Sequence, residues 1–424
     1  MVNNFDINLN PIEEVIYAYE SDNFSFNCGL IIEFNKYLNS EKLKSSIELL
    51  IRRFPILKTK IIFDGKLQRV PLPSISIKDI LTINNTAKVD KQNFVDKFEI
   101  HNKPAFHFIL SNTEGSSTLK FFIHHTLVDG LSQANILKEL MYIYSQGQPS
   151  EISYTRPALS NHRLGKWAVF KLFFNSNFKT QFKSTFKKYN CLNIGTISNV
   201  NKQDYGIVNI KVDKDNYTNI NQKIKNEKCT SFTYILNSLC LSLHKSKPES
   251  NNNIVVAFPV NLRPLFKLKS YIGNLVILTR IEVPIDKLKK NTSISYLKKS
   301  LRATISKKFL THSKQIIFGL GSIFSISKLK KIFLKKTTFI KNFNSSIMVS
   351  YIKIDDGFFP TNIKVNKISL LSAIFKSPGL GAVIAEYENS YQITITYCKP
   401  EVSELNIKKF IANLRYSLDL SEET

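Results

Sequence analysis

Cysteine is scarce and scattered: five residues in 424, Cys28, Cys191, Cys229, Cys240 and Cys398, with no CxxC pair and no histidine cluster beside any of them. An odd, widely spaced set argues against a disulfide-stapled scaffold and a structural zinc site, and it fits a reducing cytoplasm. Long apolar runs are missing too. Residues 316 to 326 (IIFGLGSIFSI) carry two glycines and reach about half of the ~20 residues that cross a bilayer. The amino terminus, MVNNFDINLNPIEEVIYAYES, has no basic stretch leading into an apolar core, and Asp6, Glu13 and Glu14 interrupt it. No signal peptide is expected, and the chain should be cytoplasmic, soluble or peripheral to a membrane. Acid is what the sequence lacks most selectively. Between Glu151 and Asp204 there is none among nine Lys and Arg, and between Asp286 and Asp355 there is none among sixteen. Those windows hold 25 of the 26 excess positive charges, so the bias is local rather than general. A single-sign field of that kind implies an anionic partner: a phosphate-bearing cosubstrate, an acidic carrier protein, anionic lipid or nucleic acid.

What is present is globular. Hydrophobic residues make up 43% and aromatics 12%, and the length suffices for about two domain-sized cores. The spacing over 43–54 (LKSSIELLIRRF) predicts a helix that stops before Pro55. Alternation in 57–63 (LKTKIIF) and 117–125 (STLKFFIHH) predicts half-buried strands. After Gly130, Leu131, Ala134, Leu137, Met141 and Tyr144 share one helical face. Residues 207–212, 252–260 and 274–283 read as strands and 230–245 as a helix; SIMVSYIKI, GAVIAEY and YQITITY follow as strands before a last helix near ELNIKKFIANLRYSL. The organisation is α/β throughout: a first lobe over 1–160, a basic crossover over 161–205 and a second lobe over 206–424, without a detectable repeat.

The sharpest local signal is His124-His125-Thr126-Leu127-Val128-Asp129-Gly130, placed where a strand gives way to a loop and a helix. A neutral imidazole can take a proton from a hydroxyl or amine as that group attacks a carbonyl. On a strand, His125 shares a face with Leu119, Phe121 and Ile123, and His124 with Lys120 and Phe122. The two rings therefore cannot serve one reacting atom, and adjacent histidines on opposite faces, with no carboxylate or cysteine cluster, are poor metal ligands. No metal site is expected. His124 reads as a hydrogen-bonded packing histidine. Asp129 has two readings, a cap for the following helix or a buried carboxylate paired with a cation. Gly130 is expected to supply a loop geometry that a Cβ would obstruct.

HHTLVDG resembles the signature of the condensation-domain and CoA-dependent acyltransferase superfamily, which includes chloramphenicol acetyltransferase, alcohol acetyltransferases, plant BAHD acyltransferases, polyketide-associated acyltransferases and the condensation domains of nonribosomal peptide synthetases. RRFPILKTKI (52–61), FPVNLRP (258–264), YIGNLV (271–276) and SPGLGAVIAEYENSYQITITY (377–397) are similar, in order, to further elements of that family. The resemblance implies two chloramphenicol-acetyltransferase-like lobes with a tunnel between them. It implies His125 as general base, Asp129 paired with Arg263 to hold the loop, and Asn274 as a tunnel-lining residue. The cosubstrate implied is an acyl-CoA or an acyl carrier protein thioester, with no covalently bound cofactor. The chain departs from many relatives at Ser350-Tyr351-Ile352-Lys353, and the DFGWG element of the plant enzymes is absent. Ser350 could donate to a tetrahedral oxyanion or satisfy its own backbone. The expectation is a monomeric acyltransferase acting on a hydroxyl or amine; the alternative is a catalytically silent relative that binds a carrier protein or an anionic membrane.

The basic windows carry rings as well as charge. Within 166–189, Trp167, Phe170, Phe174, Phe178, Phe182, Phe186 and Tyr189 recur at intervals of three or four, with Lys171, Lys179, Lys183, Lys187 and Lys188 between them. Residues 326–343 repeat the chemistry. If helical, each is an interfacial pattern suited to an anionic membrane surface or an acidic carrier protein; packing of the rings on the lobes with solvated lysines is the other reading. No nucleic-acid motif accompanies the charge, and none is expected to bind.

Overall fold

The computed structural model describes residues 6–19, 26–64, 66–84, 98–159, 167, 170–171, 174, 187–195, 205–290, 292–323, 344–355, 357–371, 379–399 and 401–421. Residues 326–343, and most of 166–189, lie outside that set.

The first lobe is built on strands β1 (Asn27–Phe34), β4 (Leu81–Asn84), β5 (Phe106–Thr113) and β6 (Ser116–His124), with a separate ribbon of β2 (Thr59–Asp64) and β3 (Lys66–Pro71). Helices α2 (Ser40–Arg53) and α3 (Gly130–Gln146) pack on each other and bury Leu43, Ile47, Leu50, Ile136, Leu137 and Met141 against the sheet. The helix read from 43–54 starts three residues earlier because the Asn39 side chain accepts from the Lys42 amide and caps it. One strand of this sheet comes from the other end of the chain. β11 (Val365–Leu371) pairs antiparallel with β1, giving the order β11-β1-β6-β5-β4.

The second lobe is a six-stranded mixed sheet with order β7-β13-β12-β10-β8-β9, from β7 (Tyr205–Val212), β8 (Ile254–Asn261), β9 (Val276–Val283), β10 (Ile347–Lys353), β12 (Leu380–Tyr387) and β13 (Ser390–Cys398). Helices α4 (Lys214–Asn226), α5 (Ser231–Ser246), α6 (Ser293–Thr304) and, at the end of the chain, α8 (Glu404–Ser417) flank it, preceded in the last case by α7 (Lys307–Ile323). Alternate residues of the central strands divide between two cores. Val349, Ile384 and Ile393 belong to the second lobe's own core, whereas Ile352, Val383 and Ala385 join the first lobe's. The sheet is thus buried on both faces, and the side bearing Ile352 looks toward the first lobe.

β10 pairs with β8 in parallel, but only at Ile347–Val256 and Met348–Ala257. Beyond those pairs β8 continues to Asn261 and β10 to Lys353, so two adjacent strands part like a fork.

Candidate active site

The HHTLVDG segment leaves β6 at His124 and enters α3 at Gly130. The alternation of the strand sends the two histidines different ways. His124 is fully buried, with Nδ1 2.7 Å from Thr126 Oγ1 and accepting the Thr126 amide at 3.2 Å. His125, one residue past the strand, is only partly buried; its amide donates to the Phe26 carbonyl, and its ring meets Phe26 edge-on at 6.3 Å. His124 is therefore a packed, hydrogen-bonded ring, and His125 is the more exposed of the two.

Both readings of Asp129 hold together. It caps α3 by accepting the Ser132 amide at 2.9 Å. It also forms a two-pronged pair with Arg263, Nη1 to Oδ2 at 2.8 Å and Nη2 to Oδ1 at 2.9 Å, with both side chains almost wholly buried. Burial alone would push the Asp129 carboxyl up; the Arg263 charge and hydrogen bonds, with the Leu275 and Ser132 amides, outweigh it and hold the group below the usual carboxylate range. Arg263 also donates to Ser132 Oγ and to the carbonyls of Tyr271 and Gly273. The guanidinium thus ties the loop of one lobe to the 271–275 turn of the other.

That turn delivers Asn274. Its side-chain nitrogen lies 2.7 Å from His125 Nδ1 and donates to the His125 carbonyl at 2.9 Å. The first contact lies on the Nδ1 edge of the imidazole, and among the described residues Nε2 makes no hydrogen bond. Burial holds the His125 pKa below the ordinary histidine value, against the opposing pull of the Asp129 charge, so the ring is neutral at pH 7.

Behind Asn274 is a set of residues that sequence reasoning missed. Glu13, read only as an interruption of an apolar run, is fully buried and accepts from Arg156 at 2.9 and 3.1 Å, from Arg69 at 3.4 Å and from the Asn274 amide at 3.1 Å. Arg69 donates in turn to the Thr126 carbonyl at 2.7 Å. Asn10 donates to the Asn274 carbonyl and the Tyr271 hydroxyl. Apart from Asn10, which exchanges hydrogen bonds with Glu13 three residues on, the partners of Glu13 (Arg69, Arg156 and Asn274) lie more than 50 residues away along the chain, so no local pattern announced them.

Glycine is demanded at a different place from the one expected. Gly130 has an ordinary helical backbone, and a Cβ there would meet only the flexible end of Ile352 at 3.4 Å. Gly273 has φ +146°, and its Cβ would stand 1.8 Å from Arg156 Nη1. The constraint follows the crowded floor of the site rather than the helix start. Ser350 shares the face of β10 with Ile352, toward the first lobe, and among the described residues its hydroxyl has no hydrogen-bond partner.

The fork between β8 and β10 opens into a cavity of about 450 Å³. Phe258, Val260, Val349 and Tyr351 line it, and Lys228, Lys298 and Arg302 stand on its solvent side. Asn261, also in its wall, accepts from Arg263, so the cavity adjoins the network that holds the HHTLVDG loop.

Residues 15–343 match the Condensation domain family. This chain belongs to that family. The condensation-domain protein is also similar to the polyketide synthase-nonribosomal peptide synthetase phmA of Phaeosphaeria nodorum, at 23% identity over 260 residues, which is 56% of this chain and 6% of phmA. The chain therefore corresponds to a small part of that relative. Among solved structures, the trichothecene 15-O-acetyltransferase TRI3 of Fusarium sporotrichioides superposes with a TM-score of 0.72 at 11% identity, over 97% of this chain and 94% of that one. The epimerization domain of the third module of tyrocidine synthetase B gives 0.66 at 14% identity, over 98% and 96%. Polyketide synthase associated protein 5 of Mycobacterium tuberculosis gives 0.64 at 14%, over 97% and 98%. The two-lobed, chloramphenicol-acetyltransferase-like α/β fold expected from the sequence is the fold of this condensation-domain protein.

Proposed function

We propose that this condensation-domain protein transfers an acyl group from a thioester, on CoA or on a carrier protein's phosphopantetheine, to a hydroxyl or amine. The observation that carries the reading is a partly buried His125 held on its Nδ1 edge by Asn274 at the junction of the two lobes, with no hydrogen bond at Nε2 among the described residues. Nε2 takes the acceptor's proton as its oxygen or nitrogen attacks the thioester carbonyl; the tetrahedral intermediate expels the thiolate, which takes the proton back from the imidazolium. No acyl-enzyme is needed, so both substrates are bound together. This sequence requires the proton on Nδ1, within reach of the residue's own carbonyl. The Asn274 amide must then present its oxygen, or withdraw its nitrogen, as the substrates bind. The thioester arm is assigned to the β8–β10 fork, whose apolar walls suit an extended arm and whose Lys228, Lys298 and Arg302 suit its phosphates.

The test is free-thiol release over a panel of acyl-CoA donors with pooled alcohol and amine acceptors, repeated with acyl carrier protein donors. Release that requires both acceptor and donor, and that falls by at least ~100-fold in a folded His125→Ala variant, is the expected result. Near-normal release in that variant would sink the general-base assignment.

A further inference from the structure

The protein's only tryptophan stands in solvent. Trp167 is 74% exposed, Phe170 54% and Phe174 69%. They account for three of the six exposed aromatic rings among the described residues, and they fall within eight positions. The rings touch in series, Trp167 on Phe170 at 5.5 Å and Phe170 on Phe174 at 5.1 Å, both edge to face. Trp167, Phe170 and Lys171 are helical, and the Phe174 amide closes the turn on the Lys171 carbonyl at 3.1 Å. Scattered exposed rings are ordinary on a protein surface, whereas a contiguous ridge of them marks a contact.

Charge and rings together identify the partner. The ridge sits in the stretch between Glu151 and Asp204 that has nine Lys and Arg and no acid, and Lys171 is exposed between the rings. Lysines answer an acidic protein and an anionic lipid alike. Indole and phenyl groups more than half exposed, with a lysine among them, match the boundary between lipid headgroups and acyl chains, where the rings find an apolar medium and the lysines find phosphates.

We propose that Trp167, Phe170, Lys171 and Phe174 seat the protein on an anionic membrane surface. The rings enter the headgroup boundary, and the surrounding lysines supply the attraction to anionic lipid. The proposal rests on exposure and charge, and it stands whether or not the site transfers acyl groups.

Because Trp167 is the sole tryptophan, intrinsic emission reads the contact directly in the full chain. Vesicles of phosphatidylcholine alone are compared with vesicles containing one third phosphatidylglycerol. The expected result is a blue shift and co-sedimentation with the anionic vesicles, weakened at least tenfold by high salt and by the double variant Phe170→Ser, Phe174→Ser at an unchanged thermal midpoint. Brominated acyl chains in the anionic vesicles should quench the emission of the wild-type chain, a readout that needs no variant. Equal binding to both vesicle types would overturn the proposal, as would emission insensitive to brominated lipid. A blue shift with a soluble acidic acyl carrier protein but with neither vesicle would reassign the ridge to a protein partner and likewise overturn it.

Discussion

His125 and Asn274 show how much of the site's chemistry is set by single atoms. The ring is kept neutral by burial, so its protonation, and with it the loss of the proposed base function, belongs below the ordinary histidine pKa of about 6.5. The rate should therefore hold through neutral pH and fall only as the medium becomes more acidic than that. Asn274→Asp places a carboxylate where an amide now lies 2.7 Å from Nδ1. An opposite charge at that distance favours the imidazolium and raises its pKa. The acid limb of kcat against pH, followed from about pH 5 to 9, should move upward accordingly, with neutral-pH turnover reduced. A limb that stays in place would show that the Asn274 side chain does not govern the proton on His125. His124, equally prominent in the sequence, is spent on Thr126 and should tolerate such tests only as a packing residue.

At the scale of elements, the parting of β8 from β10 after two paired residues is the feature that makes space beside the Asn261–Arg263 end of the network holding the HHTLVDG loop. Its cost is a row of strand groups not paired with each other, on strands that elsewhere in the same sheet run in unbroken register, such as β12 on β13. The cations on the cavity's outer side lie on α6 and just before α5: Lys298 and Arg302 on one, Lys228 on the other. Replacing Lys298 and Arg302 together with alanine should raise KM for an acyl-CoA donor by about tenfold or more while leaving kcat within about twofold, and the wild-type KM should rise with salt as the variant's does not. A KM unchanged in the variant would remove the fork as the path of the phosphate-bearing donor. Both side chains are partly or fully solvent-exposed, so stability should not move with them.

For the whole molecule, the decisive contact is the pair that bolts the lobes together. Arg263→Ala leaves Asp129 buried without its cation, a loss of ~3–5 kcal/mol that thermal or urea unfolding should register. Asp129 has a depressed pKa in the folded protein, so its contribution is present above the unfolded carboxyl's value and disappears as pH falls through the folded one. The gap in stability between wild type and variant should accordingly narrow as pH is lowered below about 4. A gap independent of pH would mean that the carboxylate's charge is not what Arg263 answers. Many of the elements were legible along the chain: periodicity located α2, α3, α5, α8 and eight of the strands to within a few residues, though not β1, β3, β4, β5 or β11, and the HHTLVDG spacing placed His125 and Asp129 at a strand-to-helix loop. That is because alternation and helical spacing are local properties, written in neighbouring residues. The return of β11 to the first lobe's sheet, the gathering of Glu13, Arg69, Arg156 and Asn274 behind the loop, and the transfer of the glycine requirement from Gly130 to Gly273 were decided only by tertiary structure. Each depends on groups brought together from distant parts of the chain, where burial turns a charge or a missing Cβ into a constraint that no window of sequence contains.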